Sequence, residues 1–249
     1  MKRYLTSAFA LFVALSSPAA SFDLNAMTNE ERTALHLEIR AYLLENPEVI
    51  MEAVAVLENR EAAQKEDMDK TLVQANTDDL FNDPSSWVGG NPDGDITMVE
   101  FLDYRCGYCR KAHDEVAALL KADGNIRMIV KEFPILGEAS TKSSQFAIAV
   151  LQLAGNDAYH AAAEALIRLK GQPTDAALER LADTLGLDAA AILKRMDSPE
   201  VEAVISKNHE LGRLMQINGT PTFVVEDQML RGYLPLEGMQ ALVAELRQD

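Results

Sequence analysis

The chain contains only two cysteines, Cys106 and Cys109, and the short segment Cys106-Gly107-Tyr108-Cys109 joins two stretches of different character. Residues 96–102 are β-rich and partly alternating, which predicts a strand. Residues 110–121 carry apolar residues at helical spacing. The cysteine pair is therefore predicted to lie at a strand-to-helix junction.

The spacing of the two thiols favours redox chemistry over a structural role. A disulfide that closes so short a loop constrains the unfolded chain very little, so it would stabilise the fold only weakly. At a helix N-terminus the free amides and the helix dipole stabilise an anion, which favours the Cys106 thiolate as nucleophile. Cys109 lies one turn further on and is predicted to resolve the mixed disulfide. Gly107 and Tyr108 leave the redox poise open, because no proline stands between the cysteines.

Metal binding is the alternative use of the pair. A structural zinc site needs four ligands and would have to recruit His113 and another histidine. His113 follows Cys109 by four residues and would share its helical face, so a three-ligand site for a soft metal, made by Cys106, Cys109 and His113, stays open. Covalent haem attachment is excluded, because Arg110 rather than histidine follows the second cysteine.

The first twenty residues resemble a secretory signal peptide. Lys2 and Arg3 precede an apolar run over residues 5–15, and small residues follow, which predicts cleavage near residues 19–21. An uncleaved signal anchor is the alternative. No later stretch reaches the roughly 18 apolar residues of a membrane-spanning helix. We expect an exported protein in an oxidising compartment such as the periplasm, where the two cysteines can form a disulfide.

The charge balance limits the possible partners. Lys and Arg number 23 against 39 Asp and Glu, for a formal net charge of −16 over 249 residues. A phosphate-binding surface needs clustered basic residues, so no nucleic-acid partner is expected. The hydrophobic content of 48% is that of an ordinary globular protein.

Three segments together resemble a known family. They are the active-site segment at residues 100–109, a following strand at 126–134 and the segment Asn218-Gly219-Thr220-Pro221 that leads into a strand. In this combination the chain resembles the DsbA-like thiol-disulfide oxidoreductases of the thioredoxin superfamily over about residues 85–249. The resemblance implies an α/β (α+β) thioredoxin fold with a helical subdomain inserted at about residues 138–216. Ala- and Leu-rich runs separated by turn signals in that stretch agree with it.

The resemblance also implies roles for particular residues. Pro221 would follow a cis peptide bond and face the Cys106 sulfur, while the backbone of Thr220 would pair with an extended client; a trans proline at a strand start is the alternative. Gly107 and Tyr108 would contact the client as well. Glu100 matches a buried acid that assists proton transfer, the alternative being an exposed edge carboxylate. Lys131 is a candidate partner for Glu100.

Residues 21–80 precede the catalytic domain, which is assigned to 81–249. Thr28 and Glu31 form a predicted capping box for a first helix, and Asn46-Pro47 begins a second. Each helix has an apolar stripe that two short helices cannot bury alone. Such an extension resembles the ScsC-type proteins associated with bacterial copper tolerance, which implies self-association with a trimer favoured over a dimer. Packing of the stripes on the catalytic domain is the alternative.

The sequence thus predicts a periplasmic enzyme that exchanges disulfides in exported proteins by isomerisation, oxidation or reduction. The redox group is the Cys106–Cys109 disulfide, and no other cofactor is expected. Its expected partners are cysteine-containing clients and a redox protein, predicted to be membrane-bound, that resets the disulfide. The alternative is a periplasmic copper-handling chaperone that uses the same cysteines.

Overall fold

The computed structural model describes residues 24–248, so the predicted signal peptide at 1–20 lies outside the described residues. The chain divides into two units, one ending at Asn59 and the other beginning at Arg60. Helix α2 (Glu48–Ala75) contributes residues to both units. None of the helices within residues 24–248 is long and apolar enough to cross a bilayer.

The first unit is helical and leaves its apolar side chains exposed. A 3-10 turn (Leu24–Ala26) precedes α1 (Asn29–Glu45), and the start of α2 follows. The predicted capping box is present, because the Glu31 amide donates to the Thr28 hydroxyl and the Thr28 amide donates to the Glu31 carboxylate. None of residues 24–59 is buried. The most exposed large apolar side chains are Leu37, Leu44 and Met51, each more than three-fifths exposed.

The second unit is built on a mixed five-stranded sheet. The strands are β1 (Trp87–Gly90), β2 (Ile96–Leu102), β3 (Ile126–Glu132), β4 (Thr222–Val225) and β5 (Gln228–Arg231), in the order β1-β3-β2-β4-β5. Strand β2 is the central strand of the sheet and is largely buried. It pairs in parallel with β3 and antiparallel with β4. The short β1 was not predicted, because a four-residue segment that ends in two glycines carries a weak strand signal.

Helices cover both faces of the sheet, which gives the α/β thioredoxin-like arrangement expected from the sequence. The remaining helices are α3 (Thr77–Phe81), α4 (Gly107–Asp123), α5 (Glu138–Ile167), α6 (Asp175–Thr184), α7 (Ala189–Met196), α8 (Pro199–Leu214) and α9 (Leu236–Leu246). One apolar cluster joins Met98, Leu102 and Val130 to α4, α5 and α9. The other joins Val99 and Phe101 to Leu80 of α3 and Leu211 of α8.

The predicted helical insertion is the run from α5 to α8, between β3 and β4. Turn residues interrupt it: Gly155 breaks α5 with a φ of 83°, and Ser198 caps α8 with Pro199 in its first turn. The end of α2 belongs to the second unit. There the nearly buried Asp69 of α2 forms an ion pair with Arg231 of β5 at 2.6 Å.

Candidate active site

The two thiols lie where the sequence predicted, at the junction of β2 and α4. Cys106 is the N-cap of α4 in an extended conformation, and its carbonyl accepts the Arg110 amide at 3.1 Å. Cys106 is 8% exposed, whereas Cys109 is completely buried one turn into the helix. Of the two thiols, only that of Cys106 has surface exposed to solvent.

A second loop, which leads into the start of β4, faces the cysteines. The Thr220–Pro221 peptide bond is cis, as the resemblance implied. The Cys106 thiol donates to the Thr220 carbonyl at 3.1 Å. The loop is fixed on both sides, since the Thr222 hydroxyl donates to the Gly219 carbonyl and the Gly232 amide donates to the Pro221 carbonyl. The structure thus brings Cys106, Thr220 and Pro221 together.

Asp103, which was not predicted from the sequence, holds the cysteine loop in place. This residue is fully buried, and its carboxylate accepts the Arg105 amide at 2.8 Å. It also accepts the amides of Ile135 and Leu136, at 2.8 and 3.1 Å. An aspartate that bonds the amide two residues ahead forms an Asx turn, which the segment Asp103-Tyr104-Arg105 could have suggested. The carboxylate therefore ties the loop after β2 to the loop after β3.

Arginine side chains connect the cysteine loop to the helical insertion. The Arg110 guanidinium donates to the Tyr104 carbonyl and to the Leu169 carbonyl, each at 3.0 Å. Arg105 reaches the Gly171 carbonyl at 2.9 Å. Because both arginines bond the chain just after α5, the insertion helps to hold the cysteine loop.

Glu100 is buried, with 5% of its surface exposed, so it is not an exposed edge carboxylate. Its Oε1 atom has no hydrogen-bond partner among the described residues. Burial raises the pKa of Glu100 to about 8, and the negative charge of Glu132 acts in the same direction. Burial also raises the pKa of the Cys109 thiol, and so does the charge of Glu100. The Glu100 carboxyl and the Cys109 thiol therefore affect each other's ionisation.

The neighbour of Glu100 is Glu132, and the expectation that Lys131 would be its partner is wrong. In the parallel register of β2 and β3, Glu100 lies opposite Val130 and Phe101 lies opposite Lys131. Alternation then places Lys131 on the other face of the sheet, where its ammonium pairs with the buried Asp83 at 2.9 Å.

Glu132 is a second buried acid of the site. The hydroxyls of Tyr104 and Tyr159 donate to its Oε1 atom at 2.7 and 2.5 Å. Burial raises the pKa of Glu132 to about 7, although the Tyr159 hydroxyl opposes this. Glu132 could have been predicted as a neighbour of Glu100 only from the register of β2 and β3, which a single sequence does not supply.

Tyr108 and Tyr233 form an aromatic surface beside the thiols. Their ring centroids lie 6.2 Å apart, and the Lys111 ammonium lies 4.1 Å from the Tyr233 ring centroid. Tyr108 is 62% exposed. Gly107, which opens α4, has free space around its Cα, because an added Cβ would meet no atom within 4 Å. Both residues between the cysteines thus leave the approach to Cys106 open.

His113 does not join the cysteines in a metal-binding group. Its Nε2 atom instead pairs with the Glu164 carboxylate across α4 and α5. Over residues 24–248, no three His, Cys, Asp or Glu side chains gather where they could hold a metal ion.

Two family models match the chain. The DSBA-like thioredoxin domain matches residues 97–244, which is more than half of the chain. The copper resistance protein ScsC N-terminal domain matches residues 31–64.

Solved structures resemble the chain along most of their own length. A thioredoxin-like oxidoreductase from Silicibacter pomeroyi DSS-3 is 41% identical, with 69% of this chain and 98% of that chain covered and a TM-score of 0.64. The thiol-disulfide exchange protein alpha-DsbA2 from Wolbachia pipientis is 27% identical, with 74% and 98% covered and a TM-score of 0.69. ScsC from Proteus mirabilis, in a transitional conformation, is 25% identical, with 89% and 97% covered and a TM-score of 0.63.

Curated relatives match only through part of their length. The Na(+)/H(+) antiporter NhaA 3 of Salinispora tropica is 26% identical over 156 residues, which are 63% of this chain and 24% of that protein. The chain therefore spans about a quarter of the length of the curated relatives it matches.

Proposed function

Because the chain belongs to the family of DSBA-like thioredoxin domains, we propose that it catalyses thiol-disulfide exchange in exported proteins through Cys106 and Cys109. The observation that carries the proposal is the position of Cys106. Cys106 is the N-cap residue of α4, and its sulfur lies 3.1 Å from the Thr220 carbonyl, next to Pro221. A family member with a thiol in that position can hold an extended client at the Thr220 backbone while the sulfurs react.

In the reductive direction the first step is attack by the Cys106 thiolate on one sulfur of a client disulfide. The new bond joins Cys106 to the client, and the other client sulfur leaves as a thiolate. The amides at the start of α4 stabilise the attacking anion. The open surface around Gly107 and Tyr108 admits the client, and the Tyr108–Tyr233 pair offers it an aromatic contact.

In the second step Cys109 attacks the Cys106 sulfur of the mixed disulfide. The Cys106–Cys109 bond forms, the client sulfur leaves as a thiolate, and the client has gained two electrons. Cys109 must first lose its proton, and the buried Glu100, in its ionised carboxylate form, accepts it. The oxidative direction reverses these steps. The redox group is the disulfide itself, and a membrane-bound redox partner would restore its starting state.

Client refolding tests this proposal. A substrate with scrambled disulfides should recover activity in the presence of the wild-type protein, and Cys106→Ala should abolish the recovery. Cys109→Ala should instead accumulate the mixed disulfide, which non-reducing electrophoresis detects. Recovery that is equal for wild type and Cys106→Ala would contradict the assigned nucleophile.

Isomerisation by an oligomer in the periplasm is the finer form of the proposal. Two features support it: the match of residues 31–64 to the ScsC N-terminal domain, and the exposed apolar side chains of α1 and the start of α2. Several redox sites that face a common space can hold one client and rearrange its disulfides. Light scattering of the mature protein should give a trimer, and deletion of residues 22–59, which removes only the first unit, should give a monomer. A monomer in both samples would contradict self-association.

Copper handling is a second candidate function, favoured only by the description of the N-terminal match as a copper resistance protein domain. The two thiols would then be copper(I) ligands. Titration of the reduced protein with copper(I), beside the variant that lacks both cysteines, separates the two functions. Equal binding by both proteins would eliminate a cysteine site for copper.

A further inference from the structure

The segment around the two cysteines carries positive charge in an otherwise acidic chain. Arg105 precedes the first cysteine, Arg110 and Lys111 follow the second, and the first turn of α4 contains no acidic residue. The chain as a whole has 39 acidic against 23 basic residues. The charge beside the thiols is therefore opposite in sign to the net charge of the protein.

The two arginines of this segment are held by backbone carbonyl groups. The Arg105 guanidinium donates to the Gly171 carbonyl at 2.9 Å. The Arg110 guanidinium donates to the Leu169 carbonyl at 3.0 Å. Both side chains are only partly exposed, whereas Lys111 is exposed and ends in an ammonium with three N–H donors. Of these three cations, Lys111 is the one that a client can reach.

The carboxylate of α4 that is best placed to pair with Lys111 is bonded elsewhere. Glu115 lies four residues after Lys111, which is the spacing at which opposite charges pair on a helix. Its Oε1 atom accepts the Tyr233 hydroxyl at 2.6 Å, and its Oε2 atom accepts the Leu236 amide at 2.9 Å. Within residues 24–248 the Lys111 ammonium forms no ion pair and lies over the Tyr233 ring instead.

The Tyr233 ring holds this ammonium beside the approach to Cys106. The distance of 4.1 Å from the Lys111 Nζ atom to the ring centroid suits a cation–π interaction. The same ring stacks on that of Tyr108, which lies between the two cysteines. Lys111 follows Tyr108 by three residues, so the two side chains share one face of α4. The ammonium and the two rings therefore form one surface next to the reactive sulfur.

We propose that Lys111 binds a carboxylate of the client, so that the surface formed by Lys111, Tyr108 and Tyr233 selects segments with an aspartate or glutamate close to the reacting cysteine. The inference rests on the proposed disulfide exchange and adds the class of client to it. A carboxylate complements the ammonium in charge and accepts the N–H groups that do not face the ring. The net charge of −16 disfavours an acidic segment on the rest of the protein, so recognition depends on this local positive site.

Peptides that contain one cysteine test this selectivity. Each peptide carries its cysteine as a disulfide with 2-thiopyridine, a leaving group without charge at neutral pH. The Cys106 thiolate attacks the peptide sulfur, the disulfide between Cys106 and the peptide forms, and 2-thiopyridine leaves with the electron pair, takes a proton and is followed by its absorbance. Paired peptides differ only by glutamate or glutamine, placed in turn at each of the four positions nearest the cysteine.

The measured quantity is the ratio of the second-order rate constants for the glutamate and glutamine peptides. This ratio cancels any change in the reactivity of the Cys106 thiolate that a variant causes. Reaction of the same peptides with mercaptoethanol gives the intrinsic ratio, by which the ratio of the protein is divided. The corrected ratio is the glutamate preference.

Lys111→Met removes the proposed carboxylate-binding group. Lys121→Met is the matched control, because Lys121 is also an exposed lysine of α4 and its loss changes the net charge equally. Ten residues separate the two lysines, which is about 15 Å along a helix. Lys111→Arg keeps the positive charge at the same position and serves as the conservative variant.

At the peptide position that meets Lys111, the wild type should show a glutamate preference of about two- to fivefold, as expected for an exposed ion pair. Lys121→Met and Lys111→Arg should keep the preference, and Lys111→Met should lose it. The preference of the wild type should also disappear at about 1 M salt, where the Debye length is only about 3 Å.

A glutamate preference that is equal in wild type and Lys111→Met, or no preference at any of the four positions, would overturn the proposal. An equal loss in Lys121→Met and Lys111→Met would also overturn it, because the general charge of the protein would then be the cause. If the wild type releases no more 2-thiopyridine than Cys106→Ala from either peptide, the exchange function itself has failed, which is a different result.

Discussion

Replacing Glu100 by glutamine should change how the stability of the protein depends on pH. The carboxyl has a pKa of about 8 in the fold against a usual value of 4.5. The unfolded chain therefore releases this proton near pH 4.5, while the folded chain keeps it until about pH 8. Over that interval the folded state binds more protons, so the free energy of unfolding falls as the pH rises.

The size of the effect follows from the pKa difference. Each pH unit within the interval removes about 1.4 kcal/mol from the free energy of unfolding. Between about pH 5 and pH 8 the wild type should lose about 4 kcal/mol through Glu100 alone. This contribution is fully present below the unfolded pKa and is lost as the pH rises through the folded one. An amide does not ionise in this range, so Glu100→Gln should lose much less.

Urea unfolding followed by circular dichroism measures the difference. The protein with Glu100 and the Glu100→Gln variant should both carry Cys106→Ala and Cys109→Ala, so that no thiol titrates. Glu245→Gln, at an exposed site, serves as a control. Glu132 also titrates, at about pH 7, so the difference between the two proteins rather than the wild-type slope isolates Glu100. Parallel curves for wild type and Glu100→Gln from about pH 5 to pH 8 would refute the reasoning.

Three further predictions concern residues away from the thiols. Lys131→Met removes the buried ammonium that pairs with Asp83, which keeps Lys207 and the Ser86 hydroxyl, and should lower the free energy of unfolding by about 1–3 kcal/mol in urea titration, whereas Lys131→Met with Asp83→Asn should recover most of it. Tyr159→Phe removes one hydroxyl that donates to Glu132 and should raise the pKa of that carboxyl further, which carbon NMR titration would detect; an unchanged value would count against the contact. Thr28→Ala removes a capping bond and should destabilise the start of α1 by about 1 kcal/mol, seen as faster hydrogen exchange there and nowhere else.

Much of the site could be predicted because its signals are local. The strand before Cys106 and the helix after it are each predicted by the pattern of neighbouring residues. The capping box at Thr28 is predicted in the same way. The cis bond before Pro221 was implied only by resemblance, since no local pattern distinguishes it from a trans bond. Strand β1 was missed because its pairing with β3, rather than its own composition, makes it a strand.

The sequence by itself determined the reactive groups and their order along the chain: two thiols at a strand-to-helix junction, an acid six residues before the first, and a proline loop far downstream. These features depend on covalent spacing and on backbone preferences, which neighbouring residues set.

The tertiary structure alone decided which groups meet. Strand register placed Glu132 rather than Lys131 on the face of Glu100, long-range packing brought the Thr220 carbonyl to the Cys106 sulfur, and the approach of α5 to α4 left a cavity beside the buried acid. A register shift of one residue would reverse every side chain of β3, and such a choice is made by packing across the whole sheet.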